Sequence, residues 1–388
     1  MTHPRLSLVF SITVSGVVAT SVVSPLIPAI INEFGVPSST AGLIVSAATI
    51  PGVLSAPAAG WLSDRFGRRV VTVVILLVAS IAGGASALSP TLEWLLGLRF
   101  IQGAASAGLI NMGIVLIVDH WTGAERSKKI GQNAAVITTS IAVIPLVSGL
   151  VASFFDWRVS VAGYLLGVPL ALLAARLLPD EVRGGERQPS GSLVNALLDR
   201  YVATTLLASV AAFAIVFGLK FAALPLLVAE RFSWTPGAIG ALLMVPALTS
   251  TTSALKLAGI HRRFGIVGSL ALGFGGYALG AIGFFLAPTQ WALIGAALIF
   301  GLGDGVALPS VQSMAAEGSP VEVRGTVIAL AIGATRLGQA IGPLGAGLLI
   351  AWHGVSAIYP IGALVAVSMA TLTYLGYRLR WLVPSADS

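Results

Sequence analysis

The chain has no cysteine. Disulfides, thiol catalysis and thiolate metal sites are therefore excluded. Charge is scarce as well: Asp, Glu, Lys and Arg make up 10% of the 388 residues, against roughly 25% in soluble proteins. The four histidines, His3, His120, His261 and His353, are scattered. No acids sit at catalytic spacing, and HExxH and phosphate-loop patterns are missing. "GLGDG" from Gly301 lies inside an apolar run, without the strand a nucleotide loop needs. The sequence points to no enzyme, no cofactor and no metal.

Apolar residues are what the chain has in excess: 56% of the sequence, with a mean hydropathy of +0.94. Lipid is the solvent such a chain needs. A bilayer core about 30 Å thick takes a helix of about 20 apolar residues. Runs of that kind fall at 7–31, 41–62, 70–89, 92–118, 131–153, 158–178, 201–229, 237–258, 266–287, 291–315, 326–350 and 355–377. The first, continuous from Leu6 to Ile31, is too long for a secretory signal and reads as a span. The expected fold is an all-α membrane protein with twelve transmembrane helices in two six-helix bundles, residues 1–178 and 201–388. "PDEVRGGERQPSGSLVNALLDR", 179–200, rich in Gly, Pro, Ser and mixed charge, reads as a flexible cytoplasmic linker.

The formal charge is +7. The basic residues are spread over many short loops, which speaks against a nucleic-acid-binding face. With both termini cytoplasmic, sixteen of the 22 Lys and Arg lie on the inside. Arg158 and Arg231 lie outside, and Arg99, Lys220, Lys256 and Arg336 lie within spans. That asymmetry orients a multi-pass protein of the cell inner membrane.

The two halves are related. At a constant offset of 198 they share Arg65/Arg263, Phe66/Phe264, Gly67/Gly265, Arg126/Arg324, Pro145/Pro343 and Gly149/Gly347, among others. A gapless match joining an Arg-Phe-Gly triplet to midspan prolines reads as a duplication. Six spans per copy give both halves the same direction across the membrane.

The loop after the second span, "GWLSDRFGRR", resembles the signature loop of the major facilitator superfamily, with Gly60, Leu62, Asp64, Arg65, Gly67, Arg68 and Arg69 all fitting. The resemblance, to the drug/metabolite:proton antiporter branch, covers nearly the whole chain. It implies a latch on the cytoplasmic side. Asp64 would dock on the N-terminal end of the eleventh helix, and the arginines would pair with an acid at the end of the fourth span, for which Asp119 is placed. Gly60 and Gly67 are expected to permit close approach and a tight turn. The second copy, "AGIHRRFG", has Arg262 where the first has Asp64. "LRFIQGAASAG" resembles the fourth-helix motif of proton-coupled members through Arg99, Gln102 and Gly103. The fifth-span Gly-Pro motif of the drug antiporters is incomplete, because Ile144 precedes Pro145.

Charges at membrane depth are costly unless they face a partner or a cavity. Asp304 in the tenth span and Arg336 in the eleventh both sit near midplane. A pair between them is expected, with Asp304 as a proton site or as part of a fixed packing pair. Arg99, Gln102 and Ser106 share a face at helical spacing. By the resemblance, that face meets the central cavity; alternatively Arg99 bonds a neighbouring helix's carbonyls. Phe213, Phe217, Lys220 and Leu224 form an aromatic wall with one cation, unless Lys220 snorkels outward. Ser11 and Ser15 lie one turn apart, and Pro25 and Pro28 should bend the first span.

These features add up to a secondary carrier working by alternating access. Its expected partners are a proton, a small molecule and the bilayer, and it is expected to act as a monomer. The first reading is proton-coupled efflux of small amphipathic or drug-like molecules. The second is proton-coupled uptake of an organic anion or other small metabolite. A membrane scaffold or receptor without transport is the alternative from another class.

Overall fold

In the computed structural model, residues 4–179, 199–317, 324–379 and 382 are described. Regular structure among them is entirely helical. Among the described residues, twelve helices are long and apolar enough to cross a membrane: α1 Leu6–Phe34, α2 Ser38–Phe66, α3 Arg68–Leu88, α4 Leu92–His120, α5 Gly123–Phe154, α6 Trp157–Leu177, α7 Arg200–Phe232, α8 Pro236–Leu255, α9 Leu257–Leu286, α10 Gln290–Ala316, α11 Thr326–His353 and α12 Val355–Arg378. Helices close their own backbone hydrogen bonds, which hydrocarbon cannot do for them. Most of the expected linker, residues 180–198, lies outside the described residues.

The helix ends follow the expected spans closely, with two large extensions, of which one is α9, starting at Leu257, nine residues before the apolar run at 266. α5 begins at Gly123, eight residues before the apolar run at 131. The added turns are amphipathic and carry the i,i+4 pair Glu125–Lys129 at 3.2 Å. Several helices are broken. In α1, a 3-10 turn at Ser24–Leu26 falls on the Pro25/Pro28 segment, as expected of a ring that cannot donate a hydrogen bond.

Contacts divide the chain into two compact units, Met1–Gly185 with Val228–Ala241, and Glu186–Leu227 with Leu242–Ser388. The segment Val228–Ala241 thus groups with the first unit: Ser153 Oγ accepts from Gly237 N at 2.8 Å, and no Cβ would fit at Gly240 against the backbone of Pro145.

Each unit repeats one packing scheme. In the first, α3 packs on α4 and α6, and α1 packs on α5. In the second, α9 packs on α10 and α12, and the repeat mate of α1, α7, packs on α11. The α9–α10 contact is close because small residues meet: a Cβ on Gly276 would lie 2.7 Å from Gly303 Cα. The backbone joints repeat too. Gly67 (φ 90°) separates α2 from α3, and Gly265 (φ 66°), 198 residues later, interrupts α9. Both need a residue without a Cβ.

Candidate functional site

The second unit holds a buried charge cluster. Asp304, in α10, is 9% exposed. Its Oδ1 accepts from Tyr277 Oη of α9 at 2.8 Å, and its Oδ2 lies 4.0 Å from Lys220 Nζ of α7. Tyr277 is fully buried, with the Phe300 ring centroid 4.8 Å away and that of Phe274 6.0 Å away. A buried tyrosine hydroxyl needs a polar partner, and Asp304 supplies it.

This arrangement departs from two expectations. The ion pair found for Asp304 is with Lys220, not Arg336, whose Nη1 donates to Gln339 Oε1 at 3.2 Å on its own helix. Lys220 does not snorkel outward: it is 2% exposed, and its Nζ lies 5.1 Å from the Phe221 ring centroid. Val216–Ala223, the stretch that carries Lys220, is π-helical, and Phe221 continues the aromatic row beside it. Phe213 and Phe217 centroids are 6.4 Å apart, and those of Phe217 and Phe221 5.2 Å.

In the first unit, Arg99 of α4 is 1% exposed. Its Nη1 donates to Ala19 O of α1 at 3.0 Å, to Gln102 Oε1 at 2.7 Å and to Tyr164 Oη of α6 at 3.2 Å. The face with Arg99, Gln102 and Ser106 is buried inside this unit, and Arg99 takes a neighbouring helix's carbonyl, the second of its two expected placements. Ser106 Oγ turns to Gly103 O at 3.4 Å. Beside this cluster lies a cavity of about 650 Å³ between α1, α3, α4, α5 and α6. Ser11 and Ser15 line it, but their hydroxyls bond the preceding turn at 2.9 and 3.0 Å.

The loop between α2 and α3 has its own ion cluster. Arg68 Nη1 lies 2.5 Å from Asp64 Oδ1, and Arg68 Nε donates to Asp119 Oδ2 at 3.0 Å; Arg68 also bonds Ser63 Oγ. Arg65 lies 5.6 and 5.7 Å from the rings of Trp61 and Phe66, and Arg69 is half-buried. Gly67 makes the turn. Gly60 does not make the close approach expected of it: it sits inside α2, and a Cβ there would meet open space.

The sequence reading passed over three polar residues that organise these clusters. Tyr164 and Tyr277 were visible only as tyrosines within apolar runs. Asn133 accepts from Thr13 Oγ1 at 2.8 Å, joining α5 to α1.

A family model for the Major Facilitator Superfamily matches residues 9–331 and again 206–387. The chain belongs to the Major Facilitator Superfamily. It is therefore a multi-pass membrane transporter of a superfamily whose members move small molecules and are not enzymes. The overlapping second match, over the C-terminal half, accords with the repeated packing. Among curated relatives, the tetracycline resistance protein, class C, of Escherichia coli is 26% identical over 84% of this chain and 85% of its own length. The niacin transporter of Acinetobacter baylyi is 30% identical, over 38% of this chain and only 33% of its own length. Among solved structures, a bacterial homologue of the human lysosomal transporter Spinster superposes with a TM-score of 0.76 at 15% identity, covering 97% of this chain and 95% of that one. This last likeness concerns the fold alone.

Proposed function

We propose that this superfamily member is a proton-coupled carrier that exports small amphipathic molecules across the cytoplasmic membrane, with Asp304 as the proton-binding group. The observation carrying this is the Asp304–Lys220 pair at 4.0 Å, buried among transmembrane helices. An ionised Asp304 compensates Lys220 and accepts from Tyr277. A proton on Asp304 cancels that compensation and leaves an ammonium in a low-dielectric interior, where an uncompensated charge is costly. Lys220 then needs water or an anion, so α7 and α10 face different demands in the two protonation states. A two-state element biased by a proton is what coupling requires.

Efflux is supported by the relation to a tetracycline resistance protein along most of both chains and by the mostly apolar residues that line the first unit's cavity. Alternating access would be gated at the cytoplasmic face by Asp64, Arg65, Arg68, Arg69 and Asp119, with Arg68 bridging the two acids. In this reading both termini are cytoplasmic and Arg336 tunes the second unit's charge. A second reading, uptake of an organic anion, is favoured by Arg99, a buried cation with no carboxylate among its bonds.

The test is transport in proteoliposomes under an imposed pH gradient. Ethidium, a cationic aromatic dye, should move against the proton flow, and Asp304→Asn should abolish the gradient-driven component. Benzoate moving with the protons would select the second reading. If the gradient drives neither probe, proton coupling is wrong.

A further inference from the structure

The cavity of the first unit ends against a charge that nothing balances. Arg99 is buried, and its three hydrogen-bond acceptors, Ala19 O, Gln102 Oε1 and Tyr164 Oη, are all neutral. Its Nε has no hydrogen-bond partner, and Gln102 Nε2 likewise lacks an acceptor in hydrogen-bonding geometry. Buried cations are ordinarily paired, because desolvation costs several kcal/mol per ion. Lys220 in the second unit has its acid; Arg99 has none. Yet Ala19, Gln102 and Tyr164 all belong to the wall of the 650 Å³ cavity, so the guanidinium stands one layer behind a space of ligand size.

The remainder of the wall is mostly apolar. Four of its five serines are spent on backbone carbonyls: Ser11 and Ser15 on the preceding turn of α1, Ser148 Oγ on Val22 O at 2.7 Å, and Ser160 Oγ on Ser148 O at 2.7 Å. Where the cavity reaches the surface, it is bordered by the exposed side chains of Val143 and Val147 on α5 and of Val159 and Leu166 on α6. The mouth between these two spans is thus lined by exposed apolar side chains.

We propose that this cavity is a binding site, complete within the first unit, for an amphipathic monoanion: a carboxylate held by the Gln102 amide and the Tyr164 hydroxyl in the field of Arg99, with an apolar body lying along α1, α5 and α6. The apolar mouth makes the bilayer the source of the ligand, so a fatty-acid-like molecule fits it. A short aromatic carboxylate arriving from water has the same head-group chemistry. The inference does not rest on proton coupling, since it concerns binding and not flux.

The experiment uses the full chain in phosphatidylcholine nanodiscs and measures binding of radiolabelled decanoate, with decanol as the uncharged control and benzoate as the water-borne anion. Decanoate should bind at least tenfold more tightly than decanol, and Arg99→Gln should erase that preference while leaving decanol binding unchanged. Gly163→Leu provides a second variant. Gly163 lines the cavity at an exposed position, and a Cβ there meets nothing within 4 Å, so a larger side chain can be carried there and should obstruct decanoate and decanol together. If Arg99→Gln does not fold, Gly163→Leu and the decanoate/decanol ratio of the unmodified chain still decide. Benzoate binding in place of decanoate, sensitive to the same variants, upholds the anion site and moves its source to the aqueous phase. Equal affinity for decanoate and decanol, or decanoate binding that survives Gly163→Leu, overturns the proposal. Loss of pH-driven ethidium transport with intact decanoate binding would count against the proton-coupled reading alone.

Discussion

Lys220 and Asp304 face each other across the interior of the second unit, Nζ to Oδ2 at 4.0 Å, with Tyr277 closing the carboxylate's other oxygen. The contact joins α7 to α10, the repeat mates of α1 and α4. In the first unit the α4 charge, Arg99, meets only neutral groups. The duplicated scaffold thus carries a compensated ion in one copy and an uncompensated one in the other.

Removing one member of the second-unit pair should cost more than removing both. Lys220→Met strands a buried carboxylate, and loss of one partner of a buried pair costs on the order of 3 kcal/mol. The double variant Lys220→Met/Asp304→Asn restores neutrality and should recover most of that loss. Thermal unfolding of the purified single and double variants gives the coupling directly; additive effects would mean the two groups do not interact.

A second ion pair, in the first unit, offers a contrast. Glu33 accepts from Trp157 Nε1 and from Arg158, whose Nη2 lies at 2.6 Å, while Arg158 Nη1 also donates to Ala87 O at 2.7 Å and Ser89 O at 3.1 Å. The cluster ties α1 to the start of α6 in a partly solvated setting, where an ion pair contributes about 1 kcal/mol or less. Glu33→Gln should lower the melting temperature slightly and leave transport near the level of the unmodified chain, whereas Asp304→Asn should remove pH-driven transport. Equal loss in the two variants would contradict the assignment of Asp304.

Glycine positions should separate sharply. Gly67→Ala and Gly265→Ala place a Cβ on backbone with φ of 90° and 66°, a conformation costing about 1–3 kcal/mol for a residue other than glycine. Gly60→Ala lies within a helix with open space beside it and should be neutral or stabilising by up to about 1 kcal/mol. Melting curves of the three variants, measured side by side, check the order.

Arg68 serves Asp64 and Asp119 at once. A lysine has the charge but not the planar fork that reaches two carboxylates. Because Asp64 is 44% exposed, the stability change in Arg68→Lys should stay within about 1 kcal/mol, while transport slows if the cluster gates the cytoplasmic side. Unchanged transport in a well-folded Arg68→Lys protein would reduce the cluster to a structural anchor.

Much of this architecture was legible in the sequence because hydrocarbon imposes one rule on every span. Apolar run length located the twelve helices, and the offset of 198 anticipated a packing scheme and a glycine joint that occur in both units. Pair identities were harder to read. Depth along the spans put Asp304 with Arg336, and only the packing of α7 on α10 shows that its partner is Lys220. Arg99 was recognisable as a buried cation, but its surroundings depend on Tyr164 of another helix, and no spacing along α4 could reveal that contact. Gly60 was assigned a close approach on motif grounds, whereas the space beside it depends on tertiary packing.

The matched joints at Gly67 and Gly265 have a consequence for how the two copies diverged. A chain that leaves the right-handed region at this same place in each copy inherited that elbow before the copies parted. The acid at position 64 and the arginine at position 262, two residues upstream of the Arg-Phe-Gly core's phenylalanine in each copy, differ in sign, so the chemistry was rewritten on a hinge already built.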